Sequence, residues 1–544
     1  MKRKLRIGCS LVILLMTITL HSQDKGAHGS FVIDASKVVG KNTEFWKAAG
    51  SDYLFNHVPK PTGQVLLDRM QATGSHKYLR THHTFVQDKK KGLLRGQHVY
   101  SEDKNGNPKY DFSKVNTVFA EYVKRGLKPI VEYDYLPKLL EMKGETVSKG
   151  NDEGMKMRNT GPNDWKKWSD LMKAATRNFI NEFGKEEVRT WYFEVWNEPD
   201  GWPMDQMHVF HKMYDVFVDA VTSVDSQLRV GGPACYHEYF LRPFLNHVVN
   251  GTNHVTGKKG TRIDFISYHI YGLSGKWLNM EPHIQPQVQR FSQSVLWIKR
   301  LMKDFPELKG TDFHINEWGM SSNFWRNIKD HPDLAYRNNH ESALFLVKLV
   351  NSLFLVEDHH NFPTSLLLYW GFVGEAEKDI FFNGERELTT AGNIPKPIQT
   401  GFEMLARLKE NRIQVTHTKN AHSGLLATSS TSDEISFVIY NYDESERDLD
   451  MVDDIRVELK GLRPNQTYRL KETRLDGKNN NTYTVWQNTG SPPASSKADL
   501  SALHEAATLK VFAETEMESN EDGVLILPLT IQRQSMKLFE LIPR

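Results

Sequence analysis

The chain has 544 residues, of which 39% are hydrophobic, 11% aromatic and 25% charged. At about 100–200 residues per domain, that length implies two to four domains or one large barrel with an accessory. Its 12 Trp, 28 Phe and 19 Tyr exclude disorder as the main state.

The formal charge is +2, and Lys2, Arg3, Lys4 and Arg6 belong to a leader, so the rest of the chain is close to neutral without a basic block. This composition argues against nucleic acid as a partner and favours an uncharged polymer or small molecule. Of the two cysteines, Cys9 lies in the leader and Cys235 is left alone, so neither a disulfide framework nor a cysteine-type zinc site is available.

Residues 1–22 read as a signal peptide: a charged start at 2–6, then an apolar run at 7–20, with cleavage expected near 22–23. The rival reading, a membrane anchor, needs roughly 20 apolar residues. Further on, the run at 344–356 comes closest to a span but is broken by Lys348 and Asn351. The expectation is an exported protein, periplasmic or secreted, with no membrane span.

Between 44 and 405, short apolar runs alternate with amphipathic helical stretches. The runs fall at 45–50, 76–80, 128–132, 190–198, 228–233, 264–271, 312–317 and 365–370. The clearest helix covers 163–183, where Trp165, Trp168, Met172, Ala175, Phe179 and Phe183 recur at helical spacing, Asn163 or Asp164 caps, and Gly184 terminates. Near-continuous apolar strands separated by helices indicate a parallel sheet covered on both faces. Eight of them predict an α/β fold, a (β/α)8 TIM barrel with loop insertions. A doubly wound open sheet is the alternative, but no GxGxxG follows an early strand.

The pattern then changes. Runs at 435–441, 455–459, 467–475, 508–512 and 524–529 are short, strand-like and separated by turn residues, which predicts an accessory β-sandwich over 406–544. Residues 28–43 are expected to join it, and 477–497, rich in Asn, Ser and Pro, to form a long connection.

Two barrel strands end in carboxylates. One reads Trp191-Tyr192-Phe193-Glu194-Val195-Trp196-Asn197-Glu198-Pro199, the other Asp312-Phe313-His314-Ile315-Asn316-Glu317-Trp318-Gly319. Strand ends at the C-terminal rim are where barrel active sites are built. Counting units places Glu198 and Glu317 on the fourth and seventh strands, facing each other across the mouth. A facing pair of carboxyls suits glycoside hydrolysis, one attacking the anomeric carbon while the other protonates the leaving oxygen. Taken singly, Glu198 could cap a loop and Glu317 pair with an arginine; their matching positions favour catalysis.

These motifs resemble glycoside hydrolase family 39, which contains β-xylosidases and α-L-iduronidases. The segments ending at Pro199 and Gly319 look like its acid/base and nucleophile motifs. Tyr78-Leu79-Arg80-Thr81-His82 resembles its second-strand Arg-x-His, and Asp264-Phe265-Ile266-Ser267-Tyr268-His269-Ile270-Tyr271-Gly272 its sixth-strand motif. Gly392-Asn393-Ile394-Pro395-Lys396-Pro397 resembles its closing segment, and Asn481-Thr482-Tyr483-Thr484-Val485-Trp486 with Gly490-Ser491-Pro492 its sandwich. The resemblance implies Glu198 as acid/base, Glu317 as nucleophile, a retained configuration, and Asn197 on the sugar 2-hydroxyl.

Other rim residues are candidates for substrate binding. His82, His269 and Tyr271 can orient the nucleophile or sugar hydroxyls, and Trp370 can form an aromatic floor. Arg80 is expected to support the site by neutralising Glu194 or Glu317. The pair His82-His83 is not expected to hold a metal, because strand alternation sends them to opposite faces; neither metal nor cofactor is called for. Family xylosidases carry an acidic pair after the eighth-strand aromatic, which Glu375 and Glu377 match only in displaced form; Glu377 is the one carried over. Iduronidases place basic residues after the sixth-strand histidine, where this chain has Ile270-Tyr271, unsuited to a carboxylate. The expected substrate is an oligosaccharide or polysaccharide releasing a neutral sugar, β-D-xylose first. Arabinose-containing side chains, an α-L-iduronide and a non-catalytic carbohydrate-binding barrel are the alternatives.

Overall fold

The computed structural model describes residues 29–90, 93–142, 161–201, 204–273, 285–322, 327–329, 331–373, 381–418, 422–445, 449–494 and 500–544. The expected signal peptide, Glu375 and Glu377 lie outside the described residues.

Eight parallel strands close into a barrel, in chain order Ala48–Ser51, Tyr78–Thr81, Lys128–Tyr133, Tyr192–Val195, Arg229–Cys235, Phe265–Leu273, Asp312–Ser321 and Leu366–Trp370. They are called here the first to eighth barrel strands. Each pairs with its sequence neighbours, and the eighth pairs with the first. Helices alternate with them, and the expected one spans Trp165–Phe183. Its cap is Asp164, whose side chain accepts from Lys166 N and Lys167 N, and Gly184 ends it with φ of 85°.

The barrel interior is filled in layers. Its lower part is apolar and aromatic: Ala48, Ile130, Tyr192, Phe265, Leu366, Leu368 and Trp370 form one cluster, with His314 stacked on Phe265. Above it lies a polar layer around Arg80, and above that the rim. On the outer helices, Asp215 accepts from His247, His254 and Thr261, which fastens the loop after residue 250 to two helices.

The accessory β part is built from a single curled sheet of mixed strands. Nine strands form one continuous hydrogen-bonded sheet, in the order 511–518, 467–475, 535–543, 435–441, 423–429, 411–417, 29–41, 452–460 and 525–532. Residues 29–41 do join it, antiparallel to Asn411–His417 and parallel to Val452–Lys460. The edge strand Leu525–Gln532 comes back against strands 435–441 and 535–543, so the sheet curls over an apolar core that includes Phe31, Phe437 and Phe539. Its other face joins the barrel's core through Leu426, Val438, Tyr440, Met536 and Leu538. Strand Val511–Glu518 sits later than the run at 508–512, and the connection at 477–497 contains a helix, Thr482–Asn488, capped by Asn481.

Candidate active site

Arg80, on the second strand, is fully buried and organises the layer beneath the rim. Its Nε donates to Glu194 Oε1 at 2.5 Å, Nη2 donates to Asn197 Oδ1 at 3.1 Å, and Nη1 lies 3.4 Å from Glu317 Oε2. Nη2 also forms an ion pair with Glu132. Asn316 Nδ2 donates to both oxygens of Glu194, at 2.8 and 3.2 Å. A buried guanidinium demands such partners, and its planar fork fixes the direction of each.

Local backbone turns aim the two candidate carboxylates. After the fourth strand, Trp196 and Glu198 hold φ of 68° and 48°, a conformation costly for side chains of this bulk. Glu198 N donates to Ala234 O at 3.0 Å, which pins the turn against the fifth strand. On the seventh strand the register with the sixth shifts between the pairs Tyr268–Ile315 and His269–Glu317. This bulge lets consecutive residues, Asn316 and Glu317, both face inward, which a regular strand forbids.

The two glutamates meet. One oxygen of each, together with a ring nitrogen of His269, lie within 4.8 Å of one another. His269 Nδ1 is 3.0 Å from Glu198 Oε1 and 3.7 Å from Glu317 Oε2. Tyr271 Oη donates to Glu317 Oε1 at 2.6 Å. The pair is asymmetric: the Glu198 side chain is 27% exposed and that of Glu317 only 4%. Burial pushes the Glu317 carboxyl above its ordinary range; His269 opposes this, Glu198 adds to it, and Arg80 and Arg386 pull it down. Burial likewise raises the Tyr271 hydroxyl, keeping it a donor. A buried carboxylate beside a more accessible one, bridged by an imidazole, can divide nucleophilic and proton-transfer roles.

A family model described as Glycosyl hydrolases family 39 matches residues 30–524. The chain belongs to glycosyl hydrolase family 39. A β-xylosidase of Caldicellulosiruptor saccharolyticus is 26% identical over 488 residues, which cover 88% of this chain and 91% of that one. An α-L-iduronidase of Mus musculus is 23% identical over 367 residues, 60% of this chain and 54% of that one. The fold is shared with a monomeric β-xylosidase from Caulobacter crescentus CB15, with a TM-score of 0.72 at 22% identity over 94% of this chain and 99% of that one. As a family 39 glycosidase, the protein is a hydrolase acting on a carbohydrate substrate.

The structure brings together most residues that the sequence singles out in this family 39 chain: Arg80, His82, Asn197, Glu198, His269, Tyr271 and Glu317. His82 lies beyond the strand end, so alternation does not separate it from His83; instead His83 turns away with φ of 64° and packs on Tyr135. His82 Nε2 is 3.1 Å from Arg80 Nη1 and its Nδ1 is 3.0 Å from Asp52 Oδ1. With the guanidinium as donor, His82 accepts at Nε2 and donates from Nδ1. Burial keeps it neutral by holding its pKa down at about 4.

Trp370 departs from the expected role. Its ring is 1% exposed and lies under His82, 4.4 Å between centroids, in space that Gly50 leaves open. It supports the polar layer and offers no free face to a sugar.

Several members of the site carry no signal in the sequence. Glu132 and Asp134, on and after the third strand, are buried together, one oxygen of each lying within 4.8 Å of the other and of a ring nitrogen of His82. Burial raises Glu132 well above its ordinary value and Asp134 to about 6. Arg386, on the loop after the eighth strand, is 8% exposed, lies 3.5 Å from Asp52 Oδ2 and stacks over Trp370. It is a second cation at the mouth.

Proposed function

We propose that the protein is a retaining exo-glycosidase releasing a neutral sugar, β-D-xylose first, by double displacement. The approach of Glu198 and Glu317 carries this reading. Retention calls for carboxyls about 5–5.5 Å apart, whereas inversion needs about 6.5–9.5 Å to admit a water. One oxygen of each glutamate lies within 4.8 Å of the other, with His269 against both, which supports the closer arrangement.

In this mechanism Glu317 attacks the anomeric carbon, and Tyr271 and Arg80 hold its oxygens. Glu198 gives its proton to the glycosidic oxygen, and the leaving group departs. Glu198 then takes a proton from water as that water displaces Glu317 from the covalent glycosyl-enzyme. Because Arg80 occupies Asn197 Oδ1, the amide hydrogens of Asn197 remain for the sugar 2-hydroxyl, a contact that strengthens in the transition state. The apolar leader at 7–20 supports an exported location for this reaction.

Azide tests the roles. Glu317→Ala should yield a glycosyl azide of inverted configuration, while Glu198→Ala should spare substrates with good leaving groups far more than those with poor ones. A glycosyl azide of inverted configuration from Glu198→Ala, with one of retained configuration from Glu317→Ala, would reverse the assignment.

Arg386 favours a second reading, a charged sugar such as an α-L-iduronide, because a buried guanidinium at the mouth can offset desolvation of a carboxylate. Against it, Arg386 already faces Asp52, and Ile270 offers no donor beside His269. Rates on nitrophenyl β-D-xyloside and α-L-iduronide at one pH and low salt decide. The first reading expects at least about 10²-fold in kcat/KM for the xyloside; comparable rates favour the second.

A further inference from the structure

The turn that carries Glu198 is tied to a second rim loop. Two residues on, Asp200 is 4% exposed, and its carboxylate accepts the backbone N–H groups of Tyr236 at 3.1 Å and His237 at 2.6 Å. His237 Nδ1 lies 2.6 Å from the same carboxylate, and Tyr239 Oη donates to the Asp200 carbonyl at 3.0 Å. An anion buried with this many donors fixes both loops relative to each other. The loop after the fifth strand is therefore positioned by the residues that position Glu198.

That loop lines a cavity of about 450 Å³, whose other wall includes His269 and Tyr271 of the sixth strand and Arg290 on the helix Gln289–Leu301. The cavity thus borders His269, which contacts both glutamates, and Tyr271, which contacts Glu317. At its edge Tyr239 is 52% exposed, and its ring lies 5.2 Å from that of His237 at an angle of 31°. Exposed aromatic surface held this firmly is suited to the apolar face of a sugar ring. Arg290 is half-buried, and among the described residues its guanidinium makes no ion pair or hydrogen bond. Its five donors suit the hydroxyls that such a ring carries.

We infer that this cavity is the subsite for the leaving-group sugar, with Tyr239 and His237 under its apolar face and Arg290 on its hydroxyls. The inference rests on the double-displacement reading, since an acid at Glu198 puts the departing oxygen on this side of the mouth. It makes the natural substrate an oligosaccharide, in which the second sugar contributes to binding, and not a simple glycoside.

The test compares two substrates of whichever sugar the unaltered enzyme cleaves: the disaccharide, and the glycosyl fluoride, whose leaving group reaches no subsite. Tyr239→Ala and Arg290→Gln should each lower the ratio of kcat/KM for disaccharide to fluoride about 10-fold, mainly through KM for the disaccharide. Tyr239→Ala also removes the bond to the Asp200 carbonyl, so Arg290→Gln, which touches no member of that network, is the deciding variant. If both variants keep the ratio within about 2-fold, including by losing both activities in parallel, the subsite is refuted while the glycosidase reading stands. If the unaltered enzyme cleaves the disaccharide but not the glycosyl fluoride of the same sugar, the double-displacement reading itself falls.

Discussion

On the double-displacement reading Glu317 has to be ionised to attack, yet its surroundings favour the proton. Burial and the neighbouring Glu198 raise its pKa above the ordinary 4.5, against His269, Arg80 and Arg386. The sign follows: kcat/KM falls as pH drops through this raised value, so the acid limb lies above the range of an exposed glutamate. The alkaline limb belongs to loss of the proton on Glu198, although both apparent values describe the pair. In Glu198→Gln the neutral amide stands in for the protonated acid, so with a 2,4-dinitrophenyl glycoside, which needs no acid, the acid limb should keep its place and the alkaline limb should vanish. An alkaline limb that persists in the variant would show that it does not belong to Glu198. Arg80 itself could be anticipated from its spacing to His82, because a lone arginine on a buried strand must find carboxylates. Arg386 could not, since it sits on a loop without periodicity, and only the closed barrel brings it to Asp52 and Trp370.

Elements differ in how far the sequence exposes them. The barrel strands are legible because strands covered on both faces read as apolar runs, and the helix at 165–183 because its cap, stripe and terminating glycine agree. The seventh-strand bulge is not legible: alternation alone sends Asn316 and Glu317 to opposite faces, and the shift depends on register with the sixth strand. Strands 411–417, 423–429 and 535–543 escape notice because partners distant in the chain bury them. The same holds for helix Thr482–Asn488, which lies in a stretch of turn-forming residues. There Tyr483 and Trp486 pack on Phe382, each 5.3 Å between ring centroids, and Thr482 Oγ1 donates to Pro395 O. The helix thereby buttresses the loop that carries Arg386. Trp486→Ala should cost about 1–3 kcal/mol of stability through lost packing and lower kcat/KM several-fold as the loop loosens. A fall in Tm with kcat/KM unchanged would mean that the loop keeps its position without this support.

At the scale of the whole molecule, the sheet and the barrel share one core. Strand Ile435–Asn441 is buried along its full length: Phe437 and Ile439 face the sheet's own interior, while Val438 and Tyr440 belong to the barrel's cluster. The join is also polar, with Asn351 Nδ2 donating to Tyr440 Oη at 3.2 Å and Arg412 Nη1 to Asp358 at 2.7 and 2.8 Å. Ending the chain after Arg407 would remove both strands that flank Gly29–Lys41. It would also bare the side of helix Glu341–His360 that the sheet covers. Two hazards then coincide: a long strand with both edges unpaired, and a contiguous apolar patch on the barrel. Neither Glu198 nor Glu317 is touched, so any loss must act through folding. The fragment should therefore be recovered as aggregate, with no soluble activity on aryl glycosides in sedimentation and rate assays. A soluble, active protein ending at Arg407 would show that the barrel closes its core alone, and that the sheet is an attachment to it.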